Sequence, residues 1–304
     1  MKKISVILTT YNSELYIKKV LDSIFKQEGV NHKFTLQVIV VDDCSTDSTC
    51  NIVNKENAEL YSTNANTGGP NSGRNIGLSK VKGDYIIIAD HDDIWFSDRI
   101  NKMLSVIDIS PIITSGYILN DISKKDKIER YNTSNSNSHY ILYDKNITFK
   151  DKLIKSNKGQ ITYLGSIMFS ASFKNILFEQ EIGMIDFDWV LRLFHNNTSV
   201  ELCCPLYIRK VRKNNLSLDE DYRIKDYNFS LRFIDNYTEC YPDEVLLSKK
   251  KINGTLARYY YLIGNMYLAR KYFLKSTIEI KTILYVITTF VGSKLVRKYF
   301  NIFG

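Results

Sequence analysis

A chain of 304 residues with 44% hydrophobic and 24% charged residues can bury one large domain, or a domain with an appendage, and is no disordered polymer. The formal charge is +8, but residues 222–304 hold 14 Lys+Arg against 6 Asp+Glu, so the remainder is neutral and the whole excess lies in the last quarter. Five cysteines (Cys44, Cys50, Cys203, Cys204, Cys240) form no CxxC pair and no disulfide framework, and MKK runs straight into an apolar stretch without a secretory leader. Both features point to a reducing cytoplasm.

In chain order, Ile4–Thr9 is an apolar run of strand length. Glu14–Lys26 carries Leu15, Ile17, Val20, Leu21, Ile24 and Phe25 at helical spacing, with Ser13 as N-cap. Leu36–Val41 is a second buried strand, and Ser45–Asn57 a helix opened by STDST. Tyr85–Ala89 is a third strand and Trp95–Ile107 a further helix. This alternation predicts an α/β fold with a Rossmann-like, mostly parallel sheet flanked by helices. Asp121–Ser138 is polar and rich in Asn and Ser, and reads as an insertion or loop. Gln160–Ser170 reads as a strand and Asp186–Phe194 as a helix.

From Tyr222 onward the pattern is helical and aromatic, and Thr255–Ile278 has the look of one helical hairpin of tetratricopeptide type. Ile283–Val291 is apolar but nine residues long, far short of the about 20 that span a bilayer. Lys281, Lys294, Arg297 and Lys298 flank it, which fits either an interfacial helix or a core-packing helix of the appendage. A basic tail suits an anionic membrane surface or nucleic acid. The aromatics Tyr259–Tyr261 and Tyr272-Phe273 have helix-packing spacing, which argues against nucleic acid.

In an open α/β sheet, ligands bind beyond the C-terminal strand ends. Thr9, Tyr11 and Asn12 occupy one such end, Asp42 and Asp43 a second, and Asp90, Asp92 and Asp93 a third. Clustered carboxylates are costly without a compensating cation, and a divalent ion with a diphosphate supplies one. Asp42 and Asp43 also suit a capped strand-to-helix turn, whereas three acids in the four residues Asp90–Asp93 are hard to explain by solvation. Asn66–Gly77 (NTGGPNSGRNIG) brings four glycines, whose exposed N–H groups can cradle an anion, and the cation Arg74. It matches neither a dinucleotide nor a P-loop spacing.

Together SVILTTYN, VIVVDDCSTDST, NTGGPNSGRNIG and ADHDDIW resemble, in order and spacing, an inverting family 2 glycosyltransferase of the GT-A fold, over about residues 3–217. HDDIW is similar to the acidic motif of bacterial rhamnosyltransferase-like members. The resemblance implies a GT-A domain over 1–220 and a basic helical C-terminal region over 221–304 that associates with a membrane or partner. It implies that Thr9, Tyr11 and Asp42 hold the base and ribose, and that Arg74 approaches the nucleotide. Asp90 and Asp92 form the DXD-like pair, Asp90 towards the ribose and Asp92 towards a divalent metal (Mg2+ or Mn2+), with Asp93 sharing the metal or sugar role.

The resemblance implies a catalytic base that is a carboxylate at a helix start, here in the segment Ile185–Arg192. Alignment on Arg192 selects Asp186, alignment on the Asp-Trp dipeptide selects Asp188, and residues two apart on a helix point away from each other. Asp186 is favoured by a small margin. The family segment that follows often carries a His, where this chain has Arg212, a cation that cannot ligate a metal. The implied activity is transfer of a hexose or deoxyhexose, with inversion, from a nucleotide diphosphate sugar to a lipid-linked surface-polysaccharide acceptor. It would occur in the cytoplasm, peripheral to the inner face of the membrane. The alternative is a non-catalytic nucleotide-sugar binder on the same fold, in which an intact acidic motif would have no use.

Overall fold

A computed structural model describes residues 1–121, 126–134, 138–156, 158–211 and 220–290. The elements are β1 (Lys2–Thr10), α1 (Ile17–Phe25), β2 (Phe34–Asp42), α2 (Thr49–Val53), β3 (Glu59–Ser62), α3 (Asn71–Ser79), β4 (Tyr85–Ala89) and β5 (Ile94–Trp95). They continue with α4 (Arg99–Leu104), β6 (Ile112–Asp121), β7 (Asp126–Arg130), β8 (Tyr140–Tyr143), α5 (Ile147–Leu153), β9 (Met168–Ser170), α6 (Phe187–Phe194) and β10 (Ser199–Val211). Four helices close the described chain: α7 (Glu220–Ile234), α8 (Pro242–Ile263), α9 (Met266–Phe273) and α10 (Ile280–Thr288).

Among the described residues the strands form one sheet in the order β3-β2-β1-β4-β9-β6-β10-β5, with β7 on β6 and β8 on β10. The first four strands are parallel, and β2, β1 and β4 are buried on both faces over most of their length, as their unbroken apolar runs require, whereas β3 (ELYS) is a partly exposed edge. Beyond β4 the pairing is mixed. β9 is antiparallel to both β4 and β6, and the long β10 runs parallel to β6 with register shifts on either side of Pro205. The order 3-2-1-4 reverses direction between β1 and β4, which opens a crevice at their C-terminal ends.

Helix α1 lays Ile17, Val20, Leu21 and Ile24 against the core, as its periodicity dictates. It starts later than Ser13, whose carbonyl accepts the N–H groups of Tyr16 and Ile17 in a preceding turn. Further boundaries differ from the sequence reading. The helix read over Trp95–Ile107 is confined to α4 (Arg99–Leu104), because Trp95 pairs with Tyr207 of β10 as part of β5. The helix after β2 begins at Thr49, because residues 45–48 turn around the Asp42 and Asp47 carboxylates. The strand in Gln160–Ser170 is confined to β9, since the buried Gln160 side chain bonds across to Thr114 and Thr148 instead of continuing a ladder. Within Asp121–Ser138, read as a loop, β7 pairs antiparallel with β6. It is exposed throughout, so no apolar alternation marks it.

The chain divides into two compact units: Met1–Phe149 with Gly159–Lys213, and Lys150–Lys158 with Asn214–Gly304. In the second, α8 and α9 form a helical hairpin that turns at Gly264, whose φ of 90° is the left-handed conformation glycine adopts without strain. Its small core is aromatic: Tyr260 stacks on Tyr272, and Phe273 on Tyr285. Among the described residues no helix is long and apolar enough to cross a membrane. Of the apolar stretch Ile283–Val291, Val291 lies outside the described residues, as do Arg212, Lys294, Arg297 and Lys298.

Candidate active site

The C-terminal ends of the parallel strands lie along one edge. Thr10 is paired with Asp42, Asp42 with Ser62, and Leu8 with Ala89, so Asp90 follows one residue beyond the last β1–β4 pair. Adjacent strands are about 4.8 Å apart. The sequence-predicted groups Thr9, Tyr11, Asp42 and Asp90 therefore come together at the switch point. Thr9 is nearly buried, whereas Tyr11 is 48% exposed. The loops after β1 and β2 are stitched together: Asn12 N–H donates to Ser45 Oγ at 2.8 Å, and Thr46 N–H to Asn12 Oδ1 at 2.9 Å.

Adjacent carboxylates at the end of β2 have different surroundings. Asp42 is 2% exposed, and both its oxygens are taken up within the turn, by the Ser45 N–H at 2.8 Å and the Ser45 hydroxyl at 2.5 Å. Burial, and then this carboxylate, push the nearby Cys50 thiol up to about 11. Asp43 is less buried and holds the glycine-rich loop, accepting from the Thr67 N–H and hydroxyl and from the Thr63 hydroxyl at 2.7 Å. The sequence pattern named the pair, and selected Asp42, because adjacent positions cannot be told apart without the turn.

Helix α3 packs tightly on β1. A Cβ at Gly73 would lie 2.9 Å from the Thr9 methyl, and one at Gly77 2.4 Å from Ile7 Cγ2. This approach brings Arg74, 7% exposed, to the end of β4, where Nη2 is 3.6 Å from Asp90 Oδ1. Nη1 donates to Asn71 Oδ1 at 3.0 Å, and the guanidinium lies 5.2 Å from the Phe178 ring centre.

After β4 the acids diverge. Asp90 remains 41% exposed at its side chain, and Asp92 is partly exposed. Asp93 is 2% exposed; Oδ1 accepts the Lys210 N–H at 3.1 Å and ties the acidic loop to β10. Burial, then the charges of Asp90 and Asp92, raise its carboxyl well above the usual range, with the Lys210 bond pulling back. Below it the fully buried Arg99 donates Nη2 to the Gly165 carbonyl and lies against Trp95 and Tyr207. Its burial lowers it to about 10. The sequence pattern missed Arg99, which looks like an ordinary surface cation of a helix.

Among the described residues no three His, Cys, Asp or Glu side chains cluster as a metal cage. Mg2+ typically takes one or two carboxylates and completes its shell with water and substrate phosphates. Asp92 with Asp90 is a donor set of that kind: hard oxygen, partly open to solvent. Asp93 is committed inward.

On the far side of α3 a network holds the segment before α6. Asn71, fully buried, donates Nδ2 to the Glu179 carbonyl and carboxylate and to the Ile185 carbonyl, all at 2.9–3.0 Å. Glu179 in turn accepts four backbone N–H groups, from Ile182, Gly183, Met184 and Ile185. Asp186 follows at once. It begins α6, its carbonyl accepts the Val190 N–H, and it is exposed. Asp188 is 2% exposed, and Oδ2 is bound to Arg192 Nη2 at 2.5 Å, one helical turn on. Burial raises the Asp188 carboxyl and Arg192 opposes the shift. Glu179 carried no sequence signal, because its partners follow it in an irregular turn and Asn71 is 108 residues away.

A family model for glycosyl transferase family 2 matches residues 5–177, more than half the chain. The chain belongs to glycosyl transferase family 2. This family 2 chain is 40% identical over 112 residues to the Staphylococcus aureus poly(ribitol-phosphate) beta-N-acetylglucosaminyltransferase TarS, which is 36% of this chain and 19% of that protein. It is 38% identical over 96 residues to a poly(ribitol-phosphate) beta-glucosyltransferase of Bacillus spizizenii, 30% of this chain and 15% of that protein. With the glycosyltransferase GlyA of Streptococcus pneumoniae the identity is 28% over 227 residues, 71% of this chain and 31% of the relative. The matches thus span under a third of the length of each of these curated relatives.

Among solved structures, S. aureus TarS 1–349 superposes with a TM-score of 0.61 at 21% identity, covering 95% of this chain and 80% of that one. The same protein in complex with UDP-GlcNAc superposes at 0.58 with 17% identity, covering 94% and 89%. These likenesses show the GT-A fold.

Proposed function

We propose that this family 2 member transfers a hexosyl or deoxyhexosyl group, with inversion, from a nucleotide diphosphate sugar to an acceptor hydroxyl. The observation that carries the reading is the single sheet edge on which Tyr11, Asp43, Asp90 and Arg74 come together at the β1/β4 switch point. The TarS relative, solved with UDP and with UDP-GlcNAc, favours a UDP-sugar among possible donors. Tyr11, Thr9 and Asp43 would bracket the nucleoside. Asp43 is preferred to Asp42 in that role because it is partly exposed where Asp42 is buried, both carboxylates also accepting bonds from their own loops. Arg74 and Asp90 would face the ribose and diphosphate. A Mg2+ or Mn2+ ion would be held by Asp92 with Asp90, and when bound it supplies positive charge to the departing diphosphate.

Asp186 is the base in this reading. Its exposure suits contact with an acceptor, whereas Asp188 is locked to Arg192. The acceptor oxygen forms its bond to the anomeric carbon as the carbon–diphosphate bond breaks. The proton passes to Asp186, and the bonding pair leaves with the diphosphate. The acceptor is proposed to be a lipid-linked surface polymer. Contact with the inner membrane face is supported by α10, where Ile283, Leu284 and Ile287 are exposed beside Lys281.

The test is a transfer assay with UDP-GlcNAc, UDP-glucose and a deoxyhexose nucleotide, each with and without Mn2+. Poly(ribitol phosphate) and a lipid-linked saccharide serve as acceptors, and the product anomer is read by NMR. Inverted product is expected. Donor binding by calorimetry with neither transfer nor hydrolysis would leave the non-catalytic binder as the better reading.

A further inference from the structure

The base reading leaves unexplained why Asn71 and Glu179 invest so many bonds in the turn before Asp186. A carboxylate accepting four consecutive backbone N–H groups fixes those peptide planes, since charge-assisted bonds are about twice as strong as neutral ones. Asn71 fastens the same turn to α3 through Ile185 and Glu179, and its own N–H donates to Gly183 at 3.0 Å. A Cβ on Gly69 would lie 2.3 Å from the Gly183 carbonyl, so the two loops meet backbone to backbone. Phe178 makes a third tie: Asn75 exchanges two hydrogen bonds with its backbone, and its ring stacks on Trp189 of α6 at 4.7 Å. One helix, α3, thereby registers Arg74 against Asp90 with one group of side chains and the start of α6 with another.

We infer that Glu179 is a positioning residue for Asp186, with Asn71 as the joint that ties this positioning to the Arg74 side of the site. The inference rests on the reading of Asp186 as the base. Glu179 need not touch either substrate. It sets where the peptide carrying Asp186 lies relative to a donor held on the opposite side of α3. A misplacement of about 1 Å can cost about 100-fold in turnover.

The experiment compares Glu179→Ala, Glu179→Gln, Asp186→Asn and the double variant Glu179→Ala/Asp186→Asn in the full chain. It measures donor Kd by calorimetry, and kcat and acceptor KM in the transfer assay. For Glu179→Ala, kcat should fall about 10- to 100-fold while donor Kd changes less than about threefold. Glu179→Gln keeps one acceptor oxygen and should recover part of the loss. In the Asp186→Asn background the same Ala change should cost less than about threefold, because its effect passes through Asp186. If Asp186→Asn is crippled but Glu179→Ala turns over at the wild-type rate, the positioning role falls and the base reading survives. If Asp186→Asn is fully active, both fall. If Glu179→Ala loses donor binding together with kcat, or the two losses multiply in the double variant, Glu179 is a general structural residue and the inference is overturned.

Discussion

The sheet unit and the C-terminal helical unit use charge in opposite ways. In the first, a set of charged groups near the strand edge and α6 is buried or half-buried and held by partners: Arg74 with Asp90, Asp188 with Arg192, and Glu179 with four amides. In the second, the core is a stack of tyrosines and phenylalanines, and the described charges lie mostly at the surface, as in the pair of Lys249 with Asp235 at 2.6 Å. There Ile280, Ile283, Leu284 and Ile287 of α10 face outward, while Tyr285 is held in the core. A buried ionic contact tolerates little displacement, whereas an exposed apolar ridge works through area and tolerates much. Under the proposed function, the first region would bear on turnover and the second on attachment.

The largest expected effect breaks the comparison at its catalytic end. Asp186→Asn should lower kcat by about 10²–10⁴ with donor affinity kept; wild-type turnover in this variant, with loss in Asp188→Asn, would move the base to Asp188. Next comes Arg74→Met, which removes a nearly buried cation from the strand edge. Calorimetry should show donor affinity about 10- to 100-fold weaker, and an unchanged Kd would detach Arg74 from the donor. On the other unit, Ile283→Ser with Ile287→Ser should weaken binding to vesicles containing anionic lipid by about 10- to 30-fold at about 1 kcal/mol per side chain. Turnover on a soluble acceptor should stay unaltered. Equal vesicle binding would mean that α10 is not the contact.

The smallest effect sharpens what burial costs. The Asp93 carboxyl is raised in the folded chain, so its contribution to stability is present below the ordinary carboxylate range and is lost as pH rises through the raised value. Above the ordinary carboxylate range the raised carboxyl therefore costs stability. Asp93→Asn should keep the Lys210 bond and raise Tm by about 2–4 °C at pH 7, for about 1 kcal/mol, with a smaller gain near pH 4. A variant less stable than wild type at pH 7 would show that the charge is compensated by Arg99 or Arg209.

What could be read in advance follows from how each feature is encoded. The three parallel strands β1, β2 and β4 were legible because burial on both faces leaves an unbroken apolar run, and the strand-end acids because they close those runs; β3 was not, since ELYS at the sheet edge is only partly buried. Edge strand β7 was not, since an exposed strand made of Asp126, Lys127, Ile128, Glu129 and Arg130 carries no alternation. The resemblance ranked Asp42 over Asp43; the difference in their burial is made by a turn in which Cys44 adopts a φ of 62°, which no spacing along the chain encodes. The difference in burial between Asp186 and Asp188 was not legible, because it is set by how α6 packs and not by spacing along the chain. Glu179 and Arg99 work through backbone groups distant in sequence, and such bonds leave no pattern along the chain.

The contact of Gly73 and Gly77 with β1 limits how such a protein can diversify. A single methyl at either position would meet Thr9 or Ile7 and push α3 outward, taking Arg74 and Asn71 along. The wall proposed to face the nucleotide is thus frozen by its own closeness, and under that proposal new sugar preferences would have to be written into segments that do not touch that seam.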